Sequence, residues 1–190
     1  MKIAGLLLAA GGSTRFGSDK RRAVLNDGSS LISASLIKLE AVVDRVFVAV
    51  REPVLEIAPL FDCTAVSVVQ VPDTQGLGDS LAAAVRQLIT FDDFDAVIIA
   101  LADMPWIDVD TLKRIVSSLE TNPLVVPSFY GQWGHPVGFG RRYFTELMAC
   151  CGDRGARWIL ERNKGELCVL EVDDEGVVND VDYPEDLHRQ

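Results

Sequence analysis

The sequence is poor in the residue types that build metal and redox sites. It contains two histidines and four cysteines, which are His135, His188, Cys63, Cys150, Cys151 and Cys168. The cysteines show neither C-x-x-C spacing nor a disulfide framework, and adjacent cysteines rarely bridge. We therefore expect reduced thiols in the core. With the two histidines so far apart in sequence, a zinc site is not expected.

Positive charge and long apolar runs are also scarce. Eighteen Lys and Arg against 28 Asp and Glu give a formal net charge of -10. A nucleic-acid surface needs a basic patch that displaces counterions, so no nucleic-acid partner is expected. No apolar run reaches the ~18 residues of a membrane span. Met1-Lys2 leads directly into a predicted strand rather than a signal peptide. These features predict a cytoplasmic protein with no membrane partner.

The composition is that of a folded protein. The chain has 190 residues, of which 48% are hydrophobic and 24% charged, and this balance excludes intrinsic disorder. The length suits one domain with a substantial core. Because no repeat, low-complexity segment or linker interrupts the chain, we predict a single domain over residues 1–190.

The most informative stretch is Leu6–Lys20, LLLAAGGSTRFGSDK. The apolar run that leads into it shows no alternation, as expected for a parallel strand covered on both faces. The glycines let a ligand approach the main-chain amides, and the cations supply full positive charge for phosphate oxygens. These residues are Gly11, Gly12, Gly17, Arg15 and Lys20. The stretch predicts a strand that ends in a phosphate-binding loop.

Two common glycine loops fail the spacing test. A P-loop needs lysine directly after its second glycine, but serine follows both Gly12 and Gly17. The dinucleotide fingerprint G-x-G-x-x-G is absent in every phase. An ordinary turn with incidental basic residues remains the alternative. Arg21 and Arg22 add to the local positive charge, which would attract a small phosphorylated ligand. They are either solvated charges or direct ligand contacts.

Strands and helices are predicted to alternate along the chain. The predicted strands are Ile3–Ala9, Arg45–Val50, Ala65–Val71, Ala96–Leu101, Leu124–Pro127 and Cys168–Val172. The predicted helices are Leu31–Val42, Glu52–Leu60, Ser80–Ile89, Thr111–Leu119, Arg142–Met148 and one opened by Asp153. This alternation indicates an α/β fold in three α/β/α layers, with a doubly wound, mostly parallel sheet. The arm Tyr130–Phe139 is expected to form a small antiparallel excursion beside that sheet.

Two later segments are expected at the same edge as the phosphate loop. The loop Pro72–Ser80, PDTQGLGDS, precedes a helix that Ser80 is predicted to cap, and ligands bind outside the carboxyl ends of such strands. Asp103 follows the buried strand Ala96–Leu101. An acid there is poorly solvated unless it binds something, and a hard cation with phosphate oxygens is the natural partner. The rival interpretation makes Asp103 the cap of the next helix.

The second half supplies aromatic and charged groups. Trp133, His135 and Phe139 lie within one arm and would suit a flat heteroaromatic ligand. On its own, a histidine such as His135 is more often a structural residue with satisfied hydrogen bonds. The second half also contains one pair of arginines and one pair of aspartates. Arg154 and Arg157 are one helical turn apart, suited to a phosphate or carboxylate, and Asp180 and Asp182 point the same way on an extended segment.

Taken together, these stretches resemble a known family. LAAGGSTRFGSDK, GLGDSL, LADMP, GHPVGF, GDRGAR and DVDYPED occur in the order of the molybdenum-cofactor cytidylyltransferase group. That group lies within the larger fold of the sugar-phosphate nucleotidyltransferases. The resemblance extends from Ile3 to Leu187. GHP and GDRGAR are its more specific signs, and Ala9-Ala10-Gly11 resembles the cytidine-using branch.

The resemblance implies a Mg²⁺-dependent transfer of CMP from CTP to a phosphorylated pterin-like acceptor, with a molybdoenzyme or its chaperone as a further partner. The implied nucleotide-binding residues are Leu8, Ala9, Ala10, Gly11, Gly12, Ser13, Arg15, Lys20, Gly76, Leu77, Gly78, Ser80, Leu81, Ala102 and Asp103. Arg15, Lys20 and Asp103 are the implied catalytic residues. The implied metal ligands are Asp103 and Asp182, with Asp180 beside them. The implied acceptor-binding residues are His135, Pro136, Asp153 and Arg157.

The chain departs from the family pattern at a few positions. Arg21-Arg22 replaces a common apolar pair, Met104 a common glutamine, and Tyr183 a common threonine. None of these changes removes an implied ligand, but together they leave the acceptor open. Two alternatives therefore remain: a sugar- or polyol-phosphate nucleotidyltransferase, and a non-catalytic nucleotide-binding protein or cofactor chaperone.

Overall fold

A computed structural model of the protein describes residues 1–12, 15–53, 66–73 and 76–188. The strands are β1 (Ile3–Leu8), β2 (Arg45–Val50), β3 (Val66–Gln70), β4 (Ala96–Leu101), β5 (Leu124–Phe129), β6 (Gln132–Trp133), β7 (Val137–Gly140) and β8 (Leu167–Glu171). The α-helices described are α1 (Leu31–Glu40), α2 (Leu77–Leu88), α3 (Val109–Leu119), α4 (Phe144–Met148) and α5 (Arg157–Arg162). Short 3-10 helices span Lys20–Arg22, Arg141–Tyr143, Glu175–Val177 and Pro184–His188. Residues 54–60 of the predicted helix Glu52–Leu60 lie outside the described residues, as do Ser13 and Cys63.

The eight strands form one sheet. Seven of them follow the order β3-β2-β1-β4-β7-β5-β6, and β8 also pairs with β5. The strands β3, β2, β1 and β4 are mutually parallel, and β8 runs parallel to β5. Because β1 lies between β2 and β4, the carboxyl end of β1 is at the centre of the parallel region. The predicted mostly parallel, doubly wound sheet is confirmed.

Alternate residues of β1 enter two different cores, which explains its unbroken apolar run. Ala4, Leu6 and Leu8 pack on the face covered by α2, α4 and α5. Ile3 and Leu7 pack on the opposite face, which is covered by α1 and α3. Both sets are buried. A strand covered on both faces has no polar side, so its sequence cannot alternate. The three predicted layers are confirmed.

The antiparallel arm lies elsewhere than predicted. We expected an excursion beside the sheet, but β7 is inserted between β4 and β5 and pairs antiparallel with both. Gly138 allows this insertion because a Cβ at that position would lie 2.9 Å from Leu119 Cδ1 of α3. The absence of a side chain at Gly138 therefore leaves room for Leu119 of α3 to pack directly on β7. Position within a sheet is a long-range property that a four-residue pattern does not encode.

Two predicted helix caps are wrong. The N-cap of α2 is Gly76 and not Ser80, which is buried inside the helix. The N-cap of α5 is Ala156 and not Asp153, which lies in the turn before the helix. Helix α2 begins at Leu77, three residues before Ser80. Helix α5 begins at Arg157, four residues after Asp153.

The described helices and thiols bear on two further expectations. Among the residues that the structure describes, none of the helices is long and apolar enough to cross a membrane. The described cysteines are free, but they are not all core thiols: Cys150 is buried, Cys168 is partly buried and Cys151 is exposed. Cys151 is exposed because it belongs to the turn that precedes α5.

Helix α1 has a side-chain cap that gives a direct test of local stability. Ser30 Oγ accepts a hydrogen bond from Ser33 N at 3.3 Å. We expect Ser30→Ala to lower the free energy of unfolding by about 1 kcal/mol. Asp108, the N-cap of α3, makes no side-chain cap hydrogen bond and is the matched control. Chemical denaturation should show a smaller loss for Asp108→Ala, and equal losses would contradict this account of the cap.

Candidate active site

Lys20 and Asp103 meet at the carboxyl ends of β1 and β4. Lys20 Nζ lies 2.7 Å from Asp103 Oδ2. The lysine and aspartate side chains are only 14% and 23% exposed, so water screens this pair little. Asp103 lies two residues after the end of β4, and Lys20 opens the 3-10 helix that ends the glycine loop. The topology thus joins two residues that are 83 positions apart.

A late irregular segment reaches the same edge of the sheet. Val181 N donates to the Asp103 carbonyl at 2.9 Å, and Lys20 Nζ donates to the Val181 carbonyl at 2.9 Å. Asp182 follows and pairs with Arg15, and its Oδ1 lies 3.8 Å from Lys20 Nζ. The segment therefore brings a second carboxylate, that of Asp182, close to the Lys20 ammonium that Asp103 contacts.

Buried Asp186 holds this segment in place. Its Oδ2 accepts hydrogen bonds from Asp182 N at 3.0 Å and from Tyr183 N at 2.8 Å. These bonds satisfy two backbone donors just before the last 3-10 helix, in the manner of a cap. Asp186 was not among the predicted site residues. The acid three residues after Tyr183 is the sequence signal that would have identified this turn.

The acidic groups suit a hard divalent cation. Asp103 and Asp182 converge on one ammonium group, and both offer oxygen ligands, as Mg²⁺ and Mn²⁺ prefer. Burial raises the pKa of Asp180 above its ordinary value, and the carboxylates of Asp103 and Asp182 raise it further. Among the described residues, however, no group of three or more acidic, histidine or cysteine side chains is arranged to hold a metal. A metal held here would need water or phosphate oxygens as further ligands.

One cleft of about 350 Å³ lies beside Asp103 and Lys20. Most of the predicted nucleotide-binding residues line it, namely Leu8, Ala9, Ala10, Gly11, Gly12, Lys20, Gly76, Leu77, Ser80, Ala102 and Asp103. Asp153, which we predicted on the acceptor side, also lines this cleft. Gly78 is buried outside it, and Arg15 is a 65% exposed side chain paired with Asp182. Leu31, Arg51 and Leu101 line the cleft without having been predicted, and so does Arg21, for which the sequence left a solvated charge and a ligand contact open.

A second pocket of about 200 Å³ shares Leu8, Leu77 and Leu101 with the cleft. Its walls are mainly aliphatic and aromatic, and they include Trp133 and Phe139. Polar groups enter from His135, Arg154 and Arg157. Pro136 faces away, toward a small cavity beside Ser35, Lys38 and Met104. The cleft and the pocket are therefore two adjoining compartments with one apolar wall in common.

His135 stands in the wall of the second pocket as a neutral side chain. Burial lowers its pKa, and its Nδ1 lies 3.5 Å from the Ile99 carbonyl oxygen. Its backbone N donates to the Val177 carbonyl at 2.8 Å. A neutral imidazole donates a hydrogen bond from one nitrogen and accepts one at the other. This ring can therefore form a hydrogen bond with a polar group on an otherwise apolar ligand.

The two arginines of the pocket share one carboxylate. Arg154 Nη2 lies 2.9 Å from Glu161 Oε2, and Arg157 Nε lies 3.1 Å from Glu161 Oε1. Both guanidinium groups are about 70% exposed. Such exposed pairs contribute little stability, roughly 0–1 kcal/mol each. Either arginine can therefore turn to an anionic ligand at small cost.

The loops of the two compartments touch through their backbones. Gly78 N donates to the Gly152 carbonyl at 2.8 Å, and Gly152 N donates to Asp79 Oδ2 at 3.2 Å. A Cβ at Gly78 would lie 2.8 Å from the Cys151 carbonyl group. Gly78 thus serves as a point of close approach between the start of α2 and the turn before α5. We predicted it as a direct nucleotide contact.

Comparisons with known proteins agree with this geometry. The model of the MobA-like NTP transferase domain matches residues 5–167. The chain belongs to this family. Purine catabolism protein PucB of Bacillus subtilis is 32% identical to it over 97% of this chain and 93% of PucB. The predicted family membership is therefore confirmed, and membership supports nucleotidyltransferase activity.

One further relative and two solved structures are also similar to this chain. Bifunctional protein GlmU of Bifidobacterium adolescentis is 31% identical over 73% of this chain, which spans 31% of GlmU. The crystal structure of Rv0371c from Mycobacterium tuberculosis H37Rv has a TM-score of 0.83 at 24% identity, covering 98% of this chain and 95% of Rv0371c. A structure of Rv0371c in complex with manganese has a TM-score of 0.76 at 23% identity, covering 90% and 88%.

Proposed function

We propose that this nucleotidyltransferase transfers CMP from CTP to a phosphorylated acceptor and releases pyrophosphate. The observation that carries the proposal is the convergence of Lys20, Asp103 and Asp182 beside a cleft that adjoins a second, apolar pocket. One compartment has glycines and the partly buried cation Lys20 for a triphosphate. The other has apolar walls and exposed arginines for an acceptor with a phosphate group.

The chain needs little proton chemistry for this reaction. The acceptor phosphate is already anionic, so catalysis consists of positioning two polyanions and offsetting charge as the α-phosphorus is attacked. Lys20 and Arg15 would hold the triphosphate, and the glycine amides would hold its oxygens. Asp103 and Asp182 would hold Mg²⁺, which supplies Lewis-acid stabilisation of the phosphate oxygens. The manganese complex of Rv0371c supports a divalent cation for this chain.

The favoured acceptor is a molybdenum-pterin phosphate. The aromatic and aliphatic walls suit the faces of a flat ring, His135 offers a hydrogen-bonding edge, and Arg154 and Arg157 offer charge for the phosphate. Asp153 would contact the ligands from the nucleotide side. A molybdoenzyme or its chaperone would then receive the product.

Donor choice is tested by a thermal-shift series. CTP, GTP, ATP and UTP are each added with Mg²⁺, and CTP at about 100 times its Kd should stabilise the fold by about 2.7 kcal/mol. Pyrophosphate release is then measured with molybdopterin as acceptor. Selective stabilisation by CTP with turnover supports the proposal. Equal stabilisation by every triphosphate overturns the CTP assignment, and no turnover with any donor overturns the activity.

A sugar- or polyol-phosphate acceptor is the second candidate, because the family lies within the larger fold of the sugar-phosphate nucleotidyltransferases. A panel of such phosphates, assayed with the donor that binds, separates the two. The apolar lining of the second pocket counts against a polyol, because most hydroxyl groups would have no partner there. Turnover with a polyol phosphate and none with the pterin would reverse the assignment.

A further inference from the structure

Arg21 is buried below the glycine loop and is 9% exposed. Its Nε and Nη2 donate to the two carboxylate oxygens of Asp19 at 2.7 and 2.9 Å. Nη1 and Nη2 donate to the two oxygens of Glu52 at 2.9 and 2.6 Å. Nη1 also lies 3.2 Å from the Ala9 carbonyl oxygen. This guanidinium therefore binds two carboxylates bidentately and one main-chain carbonyl.

The three partners mark the boundaries of the loop. Ala9 is the first residue after β1, and Asp19 is the last residue before the 3-10 helix Lys20–Arg22. Glu52 follows β2, the strand that neighbours β1. Arg21 consequently links the start of the loop to its end and fixes both against the adjacent strand. The bidentate pairs hold direction as well as distance, because the guanidinium is a planar fork.

Arg21 lines the cleft, but it has no N–H group left over for a ligand. Because all of its nitrogens donate to the protein and the side chain is buried, a solvated charge does not describe it, and a direct ligand contact would require it to give up one of these bonds. Its neighbour Lys20 leaves the same 3-10 turn in another direction and reaches Asp103. The position of that turn therefore sets where the Lys20 ammonium lies relative to the loop amides.

We propose that Arg21 is a positioning residue for the triphosphate: with Asp19 and Glu52 it holds the glycine loop and Lys20 in their binding geometry before the nucleotide arrives. This inference rests on the proposed function. A preformed loop has less conformational freedom to lose on binding, so nucleotide affinity is the quantity that it raises. The Arg21 guanidinium holds the pKa of Glu52 below its usual value, in agreement with a tightly bound ion pair.

The test compares Arg21→Lys and Arg21→Leu with wild type by calorimetric CTP-Mg²⁺ binding and steady-state kinetics, well below the melting temperature. Lysine keeps one charge but lacks the fork, so both variants should raise the Kd and KM for CTP about tenfold, with kcat within about threefold. Arg141→Leu is the matched control. Arg141 also binds one carboxylate and one carbonyl, Asp93 and Phe94, but it lies away from both compartments.

A triple variant separates positioning from mere stability. Asp19→Asn, Arg21→Leu and Glu52→Gln together leave no unpaired buried charge, so the melting temperature should recover relative to Arg21→Leu alone. The raised Kd should persist, because the link across the loop is still missing. A Kd that returns to the wild-type value with the melting temperature would overturn the inference. Wild type that binds no triphosphate would instead overturn the proposed function.

Discussion

Asp103→Asn should lower kcat/KM for nucleotidyl transfer by about 10³-fold, equivalent to about 4 kcal/mol of transition-state stabilisation. Asparagine keeps the shape and the backbone bond from Val181 N to the residue 103 carbonyl, but it removes the charge that faces Lys20. The variant therefore tests the carboxylate and not the fold. Steady-state pyrophosphate release measures the loss, and circular dichroism checks that the variant is folded.

Asp110→Asn is the control for Asp103. Asp110 is an exposed acid in the first turn of α3 that pairs with Lys113, away from the cleft, and its loss should leave kcat/KM unchanged. The same pair of variants separates an enzyme from a cofactor carrier. A carrier with Asp103→Asn should still deliver its ligand to a recipient protein. Wild-type turnover in Asp103→Asn would remove Asp103 from the catalytic residues.

The parts of the fold that follow from local pattern were predictable. β1 and β4 are unbroken apolar runs because both faces are covered, and this property can be read from the sequence. The edge at which Lys20 and Asp103 meet also follows, because the carboxyl ends of parallel strands share one edge. Their 2.7 Å contact agrees with that reasoning.

The parts that depend on long-range packing were not predictable. β7 lies inside the sheet because Gly138 accommodates Leu119, a contact between residues 19 positions apart. Arg21 is buried because Asp19 and Glu52, which follows β2, neutralise it. Pattern rules treat a surface-type residue such as arginine as exposed, and they cannot find the carboxylates that make its burial favourable. The sequence shows that Arg21 departs from the family pattern, but it does not show that Glu52 is the partner of Arg21.

Gly134→Ala should have the largest effect on stability, because Gly134 packs the GHP stretch against the late acidic segment. A Cβ at Gly134 would lie 2.1 Å from the Val177 carbonyl oxygen, a backbone atom that cannot turn aside. The same carbonyl accepts the bond from His135 N. We expect a loss of about 3 kcal/mol, seen as a melting temperature lower by roughly 6–12 °C.

The functional consequence should extend to Asp182. Val177 begins the approach of the late segment to the site, and Val181 N fixes it to the Asp103 carbonyl. If Val177 is displaced, Asp182 loses its place beside Lys20, so Mn²⁺ binding in the presence of CTP should weaken even in molecules that remain folded. Gly165→Ala is the control, because a Cβ there meets no atom within 4 Å. A Gly134→Ala protein that melts with wild type would show that the late segment is not held through Val177.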